Sequence, residues 1–211
     1  MIPSRQPKAP RRDPGLAALA VVAAITCSCS LFEPRTPEDP GGGGSFWQYP
    51  SAPWIVVNNV DGSLEARSIT LYMTSLDTSF VFVPDAADSV EFGGFLDFSS
   101  WDYADEQNTI TNLFAQVAAE DSVIVADFSF VEGYPDPPAP TDSATIWRDY
   151  EIVIVGSGFA EWGNPLRGRA RITLTESSTA TWAVSLWEDF RPDDYTPGEE
   201  YTWGYAKASY R

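Results

Sequence analysis

Histidine is absent from this chain and cysteine occurs only twice, at Cys27 and Cys29. The first absence removes the commonest general base and the commonest metal ligand. Ser-His-Asp and Cys-His catalytic arrangements and His-ligated metals are therefore excluded. Cys27 and Cys29 have one residue between them, so a disulfide would close a small strained ring. A zinc site needs about four ligands, and no second cysteine pair exists to complete one. No metal and no cofactor are expected, and any enzyme here would have to work with Asp, Glu, Tyr, Lys or Arg. Positive charge is also scarce: 13 Lys+Arg stand against 30 Asp+Glu, a net charge of −17. That balance argues against nucleic acid and against electrostatic adhesion to anionic lipid, both of which are polyanions. Long hydrophobic runs are missing too. The uncharged stretch "GLAALAVVAAI" at 15–25 falls short of the about twenty apolar residues that span a bilayer.

That short run follows a basic start, Arg5, Lys8, Arg11 and Arg12, and ends at the two cysteines. A basic start, a short apolar core and then a cysteine resemble a bacterial lipoprotein signal with its lipobox, which is cut just before a Cys that is then lipidated. The resemblance implies Cys29 as the acceptor, with Ser28 before it, and Cys27 as the alternative, with Thr26 before it. An ordinary secretory signal or an uncleaved anchor is the plainer reading. Removing residues 1–28 takes away four cations and Asp13, leaving 9 Lys+Arg against 29 Asp+Glu, about −20. Membrane attachment would then rest on acyl chains, each buried methylene contributing about 0.8 kcal/mol. Ser30, following Cys29, does not resemble the acidic inner-membrane retention signal, so the outer membrane of a bacterial envelope is the expected location.

Three segments follow from composition: a signal at 1–28, a lipidated cysteine and tether at 29–52, and one α+β domain at 53–211. The tether mixes Pro, Gly and acidic residues, which cannot bury a core. Phe46, Trp47 and Tyr49 are expected to pack onto the domain. From Pro53, the spacing of Val56, Val60 and Leu64 predicts a helix with proline in its first turn and Gly62 weakening its middle. Ser68 caps a second, with Ile69, Tyr72, Met73 and Leu76 on one face. "SFVFVPD" at 79–85 reads as a short strand ending at Pro84. A third helix carries Ile110, Leu113, Phe114 and Val117, with Ser99 and Asp102 as its capping box. Strand-like alternation then runs through 121–132, 145–156, 167–176, 180–190 and 201–211, with turn residues between.

Helices in one run and strands in another imply about three N-terminal helices packed on one face of an antiparallel sheet. This order resembles the nuclear transport factor 2-like (NTF2-like) fold, in which a strongly curved sheet wraps helices into a cone. "PWIVVNN", "FVFVPD", "RGRARITL", "WAVSLWED" and "TWGYAKASYR" also resemble stretches of small bacterial lipoproteins. A closed barrel or sandwich with helical decoration is the alternative. The resemblance implies either a binding domain or an isomerase or dehydratase with a carboxylate inside the cone, but it carries over no catalytic residue.

In "WAVSLWED", strict alternation puts Ala183, Ser185, Trp187 and Asp189 on one face and Trp182, Val184, Leu186 and Glu188 on the other. Asp189 beside Trp187 could act as a base inside a cone, or could sit at the solvated end of a sheet with tryptophan anchors. Trp101, Trp182 and Trp187 join it as pocket candidates. They belong to a set with Trp147, Trp162 and Trp203 whose commoner role is core filling. Arg167, Arg169 and Arg171 share a face and could bind an anion, or could pair across strands with acidic neighbours. The acidic stretches "PDAADS" and "RPDDYTPGEE" lack calcium-loop spacing and read as solvated turns. The expected activity is non-catalytic binding of a small apolar ligand or an envelope protein, by a domain anchored to the membrane through its lipid. The rivals are a carboxylate-dependent isomerase or dehydratase and a purely structural subunit.

Overall fold

The computed structural model describes residues 46–138, 141–156, 165–196 and 199–211. Cys27, Cys29, Trp162, the signal and the tether up to residue 45 lie outside the described residues. The chain from Phe46 opens along the first helix, α1 (Pro53–Glu65), which buries Val56, Val57, Val60 and Leu64. Pro53 stands at the start of α1, where its missing N–H costs nothing. Gly62 serves packing: a Cβ there would come within 2.3 Å of the Phe46 ring. Asn59 pins the preceding segment by accepting from Gln48 N at 2.9 Å and donating to Gln48 O at 2.7 Å. Phe46 and Trp47 are half-buried, whereas Tyr49 stays 63% exposed.

Ser68 caps α2 (Ile69–Thr74), accepting a hydrogen bond from Leu71 N. Strand β1 (Leu76–Val83) follows, and then comes a helix where a solvated turn was expected, α3 (Ala86–Phe92). Asp85 caps it by accepting from Ala87 N, so the acidic stretch reads physically as a helix start. A two-residue strand, β2 (Trp101–Asp102), leads into α4 (Tyr103–Ala119). The capping box of α4 is Asp102 with Asp105, three residues beyond the expected Ser99 and Asp102. Four long strands complete the sheet: β3 (Val123–Phe130), β4 (Ser143–Val155), β5 (Leu166–Glu176) and β6 (Trp182–Phe190).

The last segment is a helix, α5 (Trp203–Tyr210), and not the expected strand. Thr202 caps it by accepting from Tyr205 N, and Trp203, Ala206 and Lys207 then fall on one buried face. Helices are thus not confined to the N-terminal part, and five of them occur among the described residues.

The sheet order is β2-β1-β6-β5-β4-β3. It is antiparallel throughout except that β1 runs parallel to β6, which makes the sheet mixed. Helix α4 touches both β1 and β3, which lie at opposite ends of the long strands. Those strands lie about 19 Å apart at about 4.8 Å per step, a span that the 17 residues of α4 cover, at about 1.5 Å per residue. The core fills the side of the sheet on which α4 packs. It includes Ile110, Leu113 and Val117 of α4, Ile146 and Ile152 of β4, Ala170, Ile172 and Leu174 of β5, and the inner residues of β6.

Candidate functional site

Two places could carry function, the interior of the cone and the outer face of the sheet. The interior owes its chemistry to a register shift. Leu174 pairs with Val184 but Thr173 pairs with Leu186, so Ser185 is an extra residue in β6. Such a bulge reverses the alternation beyond it. Trp182, Val184, Trp187 and Asp189 therefore share the buried face. The strict alternation expected from sequence, with Trp182 opposite Trp187 and Asp189, is corrected by this one residue.

Asp189 is 2% exposed and fully engaged. Tyr150 donates its hydroxyl to Oδ1 at 2.7 Å, and Gly204 N at the start of α5 donates to Oδ2 at 2.7 Å. The Tyr150 oxygen in turn accepts from Trp203 N at 2.8 Å. A Cβ on Gly204 would sit 3.1 Å from Asp189 Oδ2 and 3.2 Å from Pro84, so a small residue lets the helix start close on the carboxylate. Burial pushes the Asp189 carboxyl up to about 7, against the lowering effect of these two hydrogen bonds. Burial and the neighbouring Asp189 raise the Tyr150 hydroxyl well above its ordinary value.

A second carboxylate, Glu106 of α4, faces the interior and is fully buried. It accepts from the Tyr72 hydroxyl at 2.6 Å and from Trp101 Nε1 at 2.9 Å. Its counter-ion is Lys207 of α5, with Nζ 2.8 Å from Oε1 and both side chains inaccessible to solvent. This contact is a close ion pair whose geometry is not that of a directed hydrogen bond. The Lys207 ammonium also lies 3.8 Å from the Phe82 ring centroid, 5.0 Å from Trp187, 5.6 Å from Trp203 and 5.9 Å from Phe80. Burial lowers the Lys207 pKa, opposed by the charges of Glu106 and Asp189. Burial first, and then Glu106, pushes the Tyr72 hydroxyl well above its ordinary range.

Nearer the rim, Asp88 of α3 is fully buried and takes hydrogen bonds from Thr202 Oγ1 and from Arg191 Nε, the latter at 2.7 Å. Burial raises its pKa, and Thr202 and Arg191 oppose the rise. Arg191 continues to Glu91 at 2.6 Å.

The expected pocket residues Trp101, Trp182, Trp187 and Asp189 are thus brought into one interior, at 2%, 3%, 0% and 2% exposure; the three tryptophans are packed core, and Asp189 also borders a cleft of about 250 Å³ with Val83, Pro84 and Phe190. Sequence reasoning passed over Glu106, Lys207, Tyr72, Tyr150 and Asp88. Glu106 had a signal, because it precedes Ile110 by four residues on the apolar stripe of α4. Lys207 had one only if 203–210 is read as a helix.

On the outer face, the three arginines of β5 each meet a carboxylate. Arg167 reaches Glu200 at 2.6 Å, Arg169 reaches Asp149 at 2.7 Å, and Arg171 makes a two-pronged contact with Glu188. Arg171 also lies over the stacked rings of Trp147 and Phe190, at 5.6 and 5.9 Å. Beside them a cleft of about 400 Å³ opens between Asp127, Glu151 and Arg167 on the sheet and Asp193 and Asp194 on the loop after β6. Among the described residues no helix is long and apolar enough to cross a membrane, and no group of three or more His, Cys, Asp or Glu could hold a metal ion.

Comparison with protein-family models found no match, and neither did comparison with curated proteins. Solved structures do resemble the chain. The β subunit of benzoate 1,2-dioxygenase from Burkholderia mallei is 9% identical with a TM-score of 0.50, covering 67% of this chain and 89% of its own. A putative aromatic ring hydroxylase from Novosphingobium aromaticivorans is 12% identical with a TM-score of 0.47, covering 65% of this chain and 85% of its own. ActVI-ORFA from Streptomyces coelicolor is 11% identical with a TM-score of 0.43, covering 64% and 90%. The likeness to the dioxygenase β subunit concerns fold alone. The described domain has the NTF2-like α+β fold, with helices packed on a six-stranded mixed sheet.

Proposed function

We propose that this chain is a lipid-anchored envelope protein whose domain works by binding a partner protein through the outer face of its sheet, without catalysis. The observation that carries this reading is the contrast between a filled cone and an open outer cleft. Both inward carboxylates, Glu106 and Asp189, have every oxygen engaged by the protein's own donors. A carboxylate-based isomerase or dehydratase needs a free carboxylate oxygen within reach of a substrate proton. A small apolar ligand needs an unfilled interior. Asp189, raised to about 7, is the feature that favours the enzymatic rival, yet it is 2% exposed and sealed by α5. The outer face instead combines a charged cleft with exposed Val123 and Val125 on β3, the end strand of the sheet among the described residues.

Anchoring rests on the cysteine that follows the apolar run, Cys29 before Cys27. Intact-mass measurement on membrane-extracted protein tests it: acyl mass that disappears in Cys29→Ser supports the anchor, and an unmodified mass at both cysteines overturns it. For binding, a photo-crosslinking residue at Val125 or Ser129 is expected to capture a defined envelope protein in cells. The same residue at exposed Thr111 of α4, on the helical side, is expected to capture none. Equal capture from both sides would overturn the assignment of the outer face.

A further inference from the structure

The cone interior has the chemistry of a receptor for a cation, and its occupant is covalently part of the chain. Glu106 Oε1 receives the Tyr72 hydroxyl and Oε2 the Trp101 indole N–H, at 2.6 and 2.9 Å. Both are neutral donors that favour the ionised carboxylate without balancing its charge. An uncompensated carboxylate in so dry a site is strongly disfavoured. The charge is balanced by one ammonium, 2.8 Å away, with the rings of Phe80, Phe82, Trp187 and Trp203 all within 5.9 Å of it. Aromatic faces within about 6 Å attract a cation through their quadrupole, most strongly when it is desolvated. A carboxylate floor and a wall of rings are the two elements by which proteins hold amines.

We propose that the cone interior is a binding site for a primary alkylammonium ion and that Lys207 is its built-in ligand. A free amine of matching length takes the same place once the Lys207 side chain is withdrawn. The geometry selects this class of cation. A quaternary ammonium cannot bring its nitrogen to 2.8 Å from an oxygen, because its methyl groups intervene. A guanidinium is best held by both carboxylate oxygens at once, and here Oε2 is taken by Trp101. A compact ammonium on an alkyl stem meets both constraints, one oxygen for the charge and ring faces for the rest.

The device that presents the ligand is α5. Its first turn is fixed by Tyr150 and Asp189 through Trp203 N and Gly204 N. Its far end is tied by Asn112 Nδ2 to Tyr210 O at 2.9 Å and by Arg211 to Ser100 O at 2.8 Å and Asp105 at 3.0 Å. Lys207 is thereby carried into the cone as a tethered guest. The site is closed to external amines as long as α5 is docked.

The test uses the full chain in detergent, as wild type and as Lys207→Ala. That change removes the side chain beyond Cβ, a propylammonium group, so n-propylammonium is the probe. Its uncharged counterpart n-propanol and tetramethylammonium serve as controls. Melting temperature is followed against probe concentration, since a ligand that binds only the folded state raises stability in a saturable way. Lys207→Ala is expected to show a saturable rise with n-propylammonium, at a half-saturating concentration about tenfold below that of n-propanol, and none with tetramethylammonium. Wild type is expected to show no saturable rise, and Lys207→Ala/Glu106→Gln to lose the preference for the charged probe. Equal stabilisation by n-propanol would mean an apolar cavity and would overturn the proposal, as would no saturable effect or the same effect in wild type. Should Lys207→Ala not fold alone, recovery of folded protein on refolding decides. Recovery with n-propylammonium but not n-propanol supports the site, and no recovery with either sinks it.

Discussion

The two faces of the same sheet hold charges in opposite ways. On the inner face Glu106 and Lys207 meet with neither side chain accessible to solvent. On the outer face Arg169 meets Asp149 at 2.7 Å with 31% and 44% of their side chains exposed. The distances are alike and the environments are not. Water screens the outer pair and would solvate either partner left alone. Nothing on the inner side offers that substitute, so each inner charge depends wholly on its partner. The lesson is that pair geometry says little about energetic weight until burial is known.

The largest test of this contrast removes one inner partner. Lys207→Met keeps the side-chain volume but leaves Glu106 buried and unpaired, and is expected to cost about 3–5 kcal/mol. The loss is read as a lower urea midpoint at unchanged m. Changing both partners, Glu106→Gln with Lys207→Met, is expected to recover most of it. A loss below about 1 kcal/mol for the single change would put the inner pair on the same footing as the outer ones.

Asp189 gives the inner face a pH dependence of defined sign. Its carboxyl rises from 3.8 to about 7 on burial, so the folded state holds the proton more tightly than the unfolded chain. The stability this group contributes is fully present below pH of about 4 and is lost as pH rises towards about 7. The steepest slope is about 1.4 kcal/mol per pH unit. Asp61, raised to about 6, and Asp88, raised by burial, act in the same direction. Urea midpoints followed across this range are expected to fall less in Asp189→Asn than in wild type. Identical slopes would show that Asp189 is better solvated than its burial implies.

Gly168 tests how tightly the inner face is packed. It pairs with Tyr150 across β4 and β5, and a Cβ there would meet the Tyr150 hydroxyl oxygen at 2.1 Å. Gly168→Ala is expected to cost about 1–3 kcal/mol by displacing that ring. Tyr150→Phe in the same background is expected to relieve part of the cost, as read by thermal unfolding. The smallest effect belongs to the outer row. Arg169→Ala is expected to change stability by about 1 kcal/mol or less, and less still in high salt. A larger loss would mean that the outer ladder is structural after all.

Much of the fold was legible because local patterns matched their tertiary setting. Val56, Val60 and Leu64 marked α1, and the stripe from Ile110 to Val117 marked α4, because the same residues both favour and bury those helices. Alternation marked β3 to β5 for the same reason. The candidate site was less legible. Trp101, Trp187 and Asp189 could be singled out by type, but their partners could not. Glu106 sits on an apolar stripe where a carboxylate looks like an error until Tyr72, Trp101 and Lys207 are brought to it. Segment 203–210 reads as a strand in sequence because its aromatic alternation imitates one, while Thr202 supplies the helix cap.

What the sequence by itself determined is the chemistry this protein does without and the outline of its layers. A chain with no histidine excludes Ser-His-Asp and Cys-His arrangements and histidine-ligated metals at any geometry, because composition survives every folding. Only the tertiary structure decided which charges became buried pairs. The extra residue in β6 turned Asp189 inward, and α5 carried Lys207 to Glu106. Both outcomes depend on contacts between segments far apart in the chain. Local propensity has no term for those contacts, and the cost of burying a charge becomes real only when the sheet closes around it.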